Sequence, residues 1–287
     1  MLRSFFTLVI FLITVFFTTL FFLLLNIRLT LLNANNVKSI ISESNLYQTA
    51  SAALKENIIK DNNSSLSDGP MLEILTDTIS AAKIREVTEE TIDSIFLAVQ
   101  DPQNNPEITI NTDKLKDEFN AKLKSGLGLN DSDLKEVKFP FESNPSINIQ
   151  NNLAIKILSH SREILFGFGI AAFLLLILLF GVSGPKNSSR FIWIGSGFLF
   201  SAIILFALLL FLHFVLPDLA DNLKQLNNLD LDEKIKSGIR KLIFIIAYKE
   251  QACLLVEFIS LFVLGLIISL FGRSLRESNI DILPKSN

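Results

Sequence analysis

Apolar residues gather into four runs, near residues 4–32, 164–182, 191–216 and 242–271, and elsewhere they alternate with polar ones. A helix needs roughly 20 mostly apolar residues to cross about 30 Å of hydrocarbon, and each run meets or approaches that length. The pattern predicts four membrane-spanning helices, over residues 1–32, 163–183, 191–216 and 242–272. Between them lie a polar stretch over 33–162, a short connection over 184–190 and an amphipathic connection over 217–241, with a tail over 273–287. The expected fold is mainly α. It combines a four-helix transmembrane bundle, a helical domain between spans one and two, and a long helix projecting outward from span four.

Periodicity inside the polar stretch supports the helical reading. Val37, Ile40, Ile41, Tyr47, Leu54 and Ile58 predict a helix over 37–60, and the Asn/Ser-rich residues 62–70 predict a loop, with Pro70 suited to a helix start. A second stripe, from Met71 through Ile79 to Val99, changes phase near Lys83, which predicts a kink or two packed helices. The residue before a proline disfavours helical backbone, so Asp101-Pro102 ends it. Ile108-Thr109-Ile110 alternates like a short strand, and Ser146 to Ile149 is a candidate partner for it. Between them Leu115, Phe119 and Leu123 predict a helix capped by Thr112 or Asp113 and closed by Gly126 and Gly128. Residues 153–163 predict a helix leading into span two, and Pro217 the end of span three. In the last connection, Leu219, Leu223 and Leu226 share a face. Leu231, Ile235, Ile239, Leu242 and Ile246 then continue one helix into span four, with Asp230 or Asp232 as its cap. That apolar stripe packs either on the 37–100 helices or in the lipid headgroups.

Charge orients the spans. Ser4 to Ile27 carries no charge, and its apolar part is about twice the 7–15 residues of a cleavable signal. With Leu32-Asn33-Ala34 a poor cleavage site, an uncleaved signal anchor is expected. An amino terminus in the cytoplasm puts Arg3, Lys186, Arg190, Arg273, Arg276 and Lys285 inside, against only Glu277 and Asp281. Residues 33–162 then lie outside the cell membrane, and both termini inside. Residues 33–160 contain 12 Lys and Arg against 19 Asp and Glu, a net of −7.

Composition narrows the chemistry. With 49% apolar residues and 25 Phe, the chain holds more hydrocarbon than one soluble core of ordinary size can hide. Cys253 is the single cysteine and His160 and His213 the only histidines, so neither a disulfide framework nor a Cys/His metal set can be assembled. No phosphate-binding glycine loop, HExxH or nucleophile elbow occurs, and Gly195-Ser196-Gly197 lacks the GxSxG spacing. No catalytic residue, cofactor or nucleic-acid partner is therefore expected. Asn62, Asn63 and Asn130 begin glycosylation-type triplets.

Polar groups at membrane depth are costly and mark candidate sites. Glu257 lies within the apolar run from Ala252 to Phe271, and Glu250 is seven residues earlier on the same face, beside Lys249. His213 and Arg28 fall toward the same outer end of their spans. Two readings stay open: a cluster binding an ion, a proton or a lipid headgroup, or an interfacial Glu257 about 8 Å deep that pairs with Arg28 or reaches the headgroups. Gly167 with Ala171, Gly197 with Ser201, and Gly265 with Ser269 are spaced i, i+4 and allow close helix approach, within the chain or in a dimer.

The order of elements supports a resemblance. The segment Asn36-Val37-Lys38-Ser39-Ile40-Ile41-Ser42-Glu43-Ser44-Asn45-Leu46-Tyr47 follows an N-terminal anchor. Ile92-Asp93-Ser94-Ile95-Phe96, a short strand and helix over Ile108 to Phe119, and three closely spaced spans come after it. In pattern and order this resembles a loose group of bacterial four-span membrane proteins with a helical extracytoplasmic domain, which implies architecture and a bacterial setting and no activity. Two functions are expected. One is a non-enzymatic envelope protein whose outer domain binds another protein, organises a membrane complex or self-associates. The other is a transport or lipid-handling component using the polar cluster. Membrane lipids are partners in both.

Overall fold

The computed structural model describes residues 2–61, 69–101, 107–128, 146–148, 158–221 and 233–278. Expectations for the 62–68 loop, the 153–157 lead-in, Leu223, Leu226, Leu231, the Asp230 and Asp232 caps, Asn130 and the tail from Asn279 lie outside these residues. The chain divides into two compact units. Met1–Thr30, His160–Leu219 and Ala247–Asn287 form a span unit, and Leu31–Ser159 with Ala220–Ile246 form a helical module.

The helical module contains α2 (Ala34–Glu43), α3 (Leu46–Asp61), α4 (Pro70–Thr78), α5 (Ala81–Gln100), β1 (Glu107–Thr109), α6 (Asp113–Leu127) and β2 (Ser146–Asn148). The expected helix over 37–60 is in fact two. The apolar phase slips between Ile41 and Tyr47, and Ser44 turns back to donate its hydroxyl to the Ile41 carbonyl at 2.7 Å. Asn45 then adopts left-handed backbone, φ 60°, a conformation that Asn tolerates better than most residues. Of the kink or two helices expected near Lys83, the structure has two helices, with the break a few residues earlier, at Ile79-Ser80. There the Ser51 hydroxyl donates to the Ile79 carbonyl and ties α3 to the corner.

The two strands pair antiparallel, with Ile108 opposite Ile147. α6 begins after Thr112 and passes through Gly126, whose missing side chain leaves room for Ile74. It ends at Gly128, which takes φ 65° and donates its N–H to the Lys124 carbonyl. Tyr47, Leu75, Ile79, Ile84, Leu115, Phe119 and Leu123 form the buried core that binds α3 to α6 together. Ion pairs clothe it, among them Lys38–Asp93 at 2.6 Å, Lys83–Glu118 at 2.9 Å and Lys122–Glu118 at 2.8 Å.

Four helices among the described residues are long and apolar enough to cross a membrane. They are α1 (Leu2–Thr30), α7 (Ser161–Val182), α8 (Asn187–Asp221) and α9 (Glu233–Ser278). The stretch of α8 apolar enough to span ends at Val215, next to the expected end at Pro217, and the helix backbone continues to Asp221, although the missing proline N–H removes one helical hydrogen bond. α9 is one unbroken helix of 46 residues, and its first turns belong to the module. There Gly238 presses on Leu46 of α3 and Lys234 pairs with Glu56 at 3.0 Å. These turns therefore pack on the module's helices, the first of the two alternatives open to them, and residues 220–246 group with the module.

Candidate functional site

Contacts along the four long helices fix their directions within the span unit. Arg3 Nε donates to the Val182 carbonyl at 3.2 Å, and Phe17 stacks near Phe168, so α1 and α7 are antiparallel. Phe11 meets Trp193 and Phe200, and Ser201 donates to the Val15 carbonyl, so α1 and α8 run parallel. Gly195 approaches Gly265 and Ser188 approaches Gly272, so α8 and α9 are antiparallel. Arg3, Arg190, Arg273 and Arg276 are thereby gathered at one end of the bundle. At that end the Arg190 guanidinium donates to the Gly184 carbonyl at 2.9 Å and lies over Phe180, closing the turn between α7 and α8.

The outward faces carry large apolar side chains, including Phe5, Phe16, Phe166, Phe173, Phe200 and Val256. This arrangement suits a hydrocarbon solvent, in which apolar groups need no burial. The inward face of α1 inverts the usual pattern. Its buried residues are Thr7, Phe11, Thr14, Val15, Thr18, Thr19, Asn26 and Thr30. The polar ones form two stripes, Thr7-Thr14-Thr18 and Thr19-Asn26-Thr30, each stepping seven residues and then four. At 3.6 residues per turn the stripes lie about 120° apart. The first is satisfied locally, since Thr7 donates to the Arg3 and Val182 carbonyls and Thr14 to the Ile10 carbonyl.

The second stripe meets the polar face of α9. The Thr30 hydroxyl lies 3.2 Å from Asn26 Oδ1 and 3.8 Å from Cys253 Sγ, and it also neighbours the Glu250 carboxylate. Antiparallel helices that bring position 30 beside position 253 bring 26 level with 257. Asn26, 2% exposed, thus sits at the depth of Glu257. The Asn26 Nδ2 donor and the Glu250 Oε1 and Glu257 Oε2 acceptors are all buried without a hydrogen-bond partner. Below them Thr19 Oγ1 is orphaned as well. Unpaired buried polar atoms cost about 1–3 kcal/mol each, so several together are a functional signal.

The sequence-predicted cluster forms only in part. Glu250 and Glu257 share the seam, with Cys253 between them. Arg28 does not join it: two residues from both Asn26 and Thr30, it lies about 160° around the helix from each. Its Nη1 is itself unpartnered, and the expected pairing with Glu257 is not made. Glu257 itself is half-buried, with its Oε2 shielded inside the bundle. His213 is exposed, its ring edge-on to Phe214 at 5.2 Å, and stands apart from the seam.

Among the small residues, Gly265 and Ser269 face Gly195 so closely that a Cβ at Gly265 would fall 2.8 Å from the Gly195 carbonyl oxygen. Gly197 touches Phe11, and Ser201 is fully buried. Gly167 meets nothing within 4 Å and Ala171 is half-buried, while Gly169 against Phe21 and buried Ala172 make the close approach on α7. Sequence reasoning missed Asn26 and the threonine stripes. Their signal was their spacing, which a search for charges alone passes over.

Fold and seam define a multi-pass membrane protein with a separate helical module. No family model, curated protein or solved structure matches the chain.

Proposed function

We propose that this protein is a cell-membrane component that handles a small solute or a lipid at the seam between α1 and α9. The observation that carries this reading is the depth-matched pair of orphaned groups, the Asn26 amide donor and the Glu257 carboxylate oxygen. Structural polar contacts between membrane helices satisfy each other, because lipid offers no alternative partner. In this orientation the arginine-rich end of the bundle is cytoplasmic, both termini are inside, and residues 33–162 are extracytoplasmic. The seam then opens toward the outer leaflet. Cysteine accessibility in intact cells tests the orientation, with reporters introduced in the 184–190 turn and in residues 62–68. Labelling of the turn by an impermeant reagent would refute it.

The seam itself is tested by native mass spectrometry of protein released from membranes, wild type against Asn26→Leu and Glu257→Gln. Loss of a bound lipid, or of solute uptake by vesicles, in stably folded variants supports the reading. Variants indistinguishable from wild type in both assays would sink it.

A second reading concerns the module. Its core is filled by hydrocarbon, and its ion-paired surface leaves a groove of about 650 Å³ between α3 and the first turns of α9, lined by Gln48, Thr49, Glu233, Lys234 and Lys241. A non-enzymatic envelope protein would use such a surface to hold a partner protein or a second copy. Crosslinking in native membranes tests it, and the absence of any crosslinked product would count against it.

A further inference from the structure

We infer that Glu257 is a proton-binding site that exchanges with the extracytoplasmic side, and that Asn26 sets its environment. This rests on the seam being the working site and specifies the species it takes. Glu250 and Glu257 are seven residues apart on one helix, about 10.5 Å along its axis. One ion therefore cannot be ligated tightly by both. No group of three or more His, Cys, Asp or Glu side chains converges among the described residues. The group level with Glu257 is Asn26, whose free atom is a donor, and a donor amide repels a metal cation while it serves a carboxyl oxygen. Glu257 is half-buried with its Oε2 shielded and unpartnered; a proton serves such a carboxylate without the ligand set that a metal requires.

The titratable groups around Glu257 are few. On its own helix they are Glu250 and Cys253, both half-buried. α1 offers Arg28, turned to another face. α8 presents hydrocarbon, Leu205 and Leu208 with Leu212, and its His213 is exposed. On α7 Arg162 and Glu163 are exposed. Toward the arginine-rich end Phe11, Val15 and Leu179 pack with Trp193 and Ile194 as an apolar cluster of α1, α7 and α8. Asn26 and Glu257 lie beyond it, so exchange is expected from the opposite end.

The test uses the full chain in vesicles and dicyclohexylcarbodiimide, an apolar reagent that modifies protonated carboxyls, with the modified residue located by peptide mass spectrometry. Labelling at Glu257 is expected, falling as pH rises and the same in Na⁺-containing as in Na⁺-free buffer. Asn26→Leu is expected to move the pH midpoint of labelling while the protein stays folded. Absence of labelling at every pH, equal labelling of the same peptide in Glu257→Gln, protection by Na⁺, or an unmoved midpoint in Asn26→Leu would each overturn the proposal. A phospholipid retained by wild type and lost from Asn26→Leu, with Glu257 unlabelled, would overturn the proton and leave the seam reading standing.

Discussion

Asn26→Leu is the most informative substitution, because it separates a structural amide from a functional one. Asn26 is almost wholly buried, yet its Nδ2 has no partner. Replacing it by leucine, a near-isostere, removes an unsatisfied donor that costs about 1–3 kcal/mol. The change also deletes the Thr30–Asn26 hydrogen bond, and hydrogen bonds between polar side chains in membrane bundles are worth only about 0.6 kcal/mol on average. Thr30 can recover it by donating to the carbonyl of residue 26, one turn back, as Thr14 and Thr7 do on the same helix. A slightly larger side chain consumes part of the gain through overpacking. The net expectation is stabilisation by about 1 kcal/mol, roughly a fivefold shift of the unfolding equilibrium. Reversible unfolding in mixed micelles of neutral detergent and dodecyl sulfate, followed by circular dichroism, measures it. Destabilisation by 1 kcal/mol or more would mean that the folded protein does satisfy the amide, and the seam would then be ordinary packing. A stabilised but inactive variant is the signature of a site that trades stability for function.

Other substitutions test the remaining structure. Gly265→Ala places a Cβ 2.8–2.9 Å from the Gly195 carbonyl oxygen and the Leu199 amide nitrogen, backbone atoms that cannot move aside; it should cost about 1–3 kcal/mol in the same unfolding assay, whereas Gly167→Ala should be nearly neutral. Phe119→Ala, at the centre of the module core, should cost about 3–5 kcal/mol, measured by thermal unfolding of the full chain in detergent. In the module, hydrogen bonds from Lys122 and Lys83 hold the Glu118 carboxyl below its ordinary value. A depressed carboxyl stabilises the fold above the unfolded-state value near 4.5 and loses that contribution as pH falls through the folded value. Acid titration of Glu118→Gln should therefore show a shallower loss of stability below about pH 4.5 than wild type, and parallel curves would refute the assignment. Burial holds the Tyr47 phenol above its ordinary value, with the nearby Glu89 charge adding to the shift. Its contribution is present below pH 10 and is lost as pH rises through the folded value, so Tyr47→Phe should unfold less readily above pH 10 than wild type.

Much of the architecture was legible in residue order. Runs of hydrocarbon long enough to span a bilayer have few alternative fates, so α1, α7, α8 and α9 follow from composition. The i, i+4 stripe of Leu115, Phe119 and Leu123 likewise needed only local geometry to specify α6, with glycine to end it. Short-range detail escaped where a stripe slipped by less than a turn. The Ser44-Asn45 break depends on a serine hydroxyl capturing the Ile41 carbonyl, which competes evenly with continued helix until Tyr47 finds the core. At Pro217 the apolar stretch has ended, at Val215, while the helix backbone runs on to Asp221, because a proline costs a long helix only one hydrogen bond and a bend.

What the sequence determined by itself was the membrane class, the four spans, the arginine-rich short segments and the helical nature of the module, since each depends on hydrophobicity and period along one element. Only the tertiary structure decided which polar groups meet. Charge drew attention to Arg28 and His213, yet helix rotation turns Arg28 away and leaves His213 exposed. Thr30, uncharged and close to a run of phenylalanine and leucine, meets Cys253 and Glu250, and Asn26 comes level with Glu257, because α1 and α9 pack antiparallel. That register is a property of two helices in contact, and no single run of residues contains it.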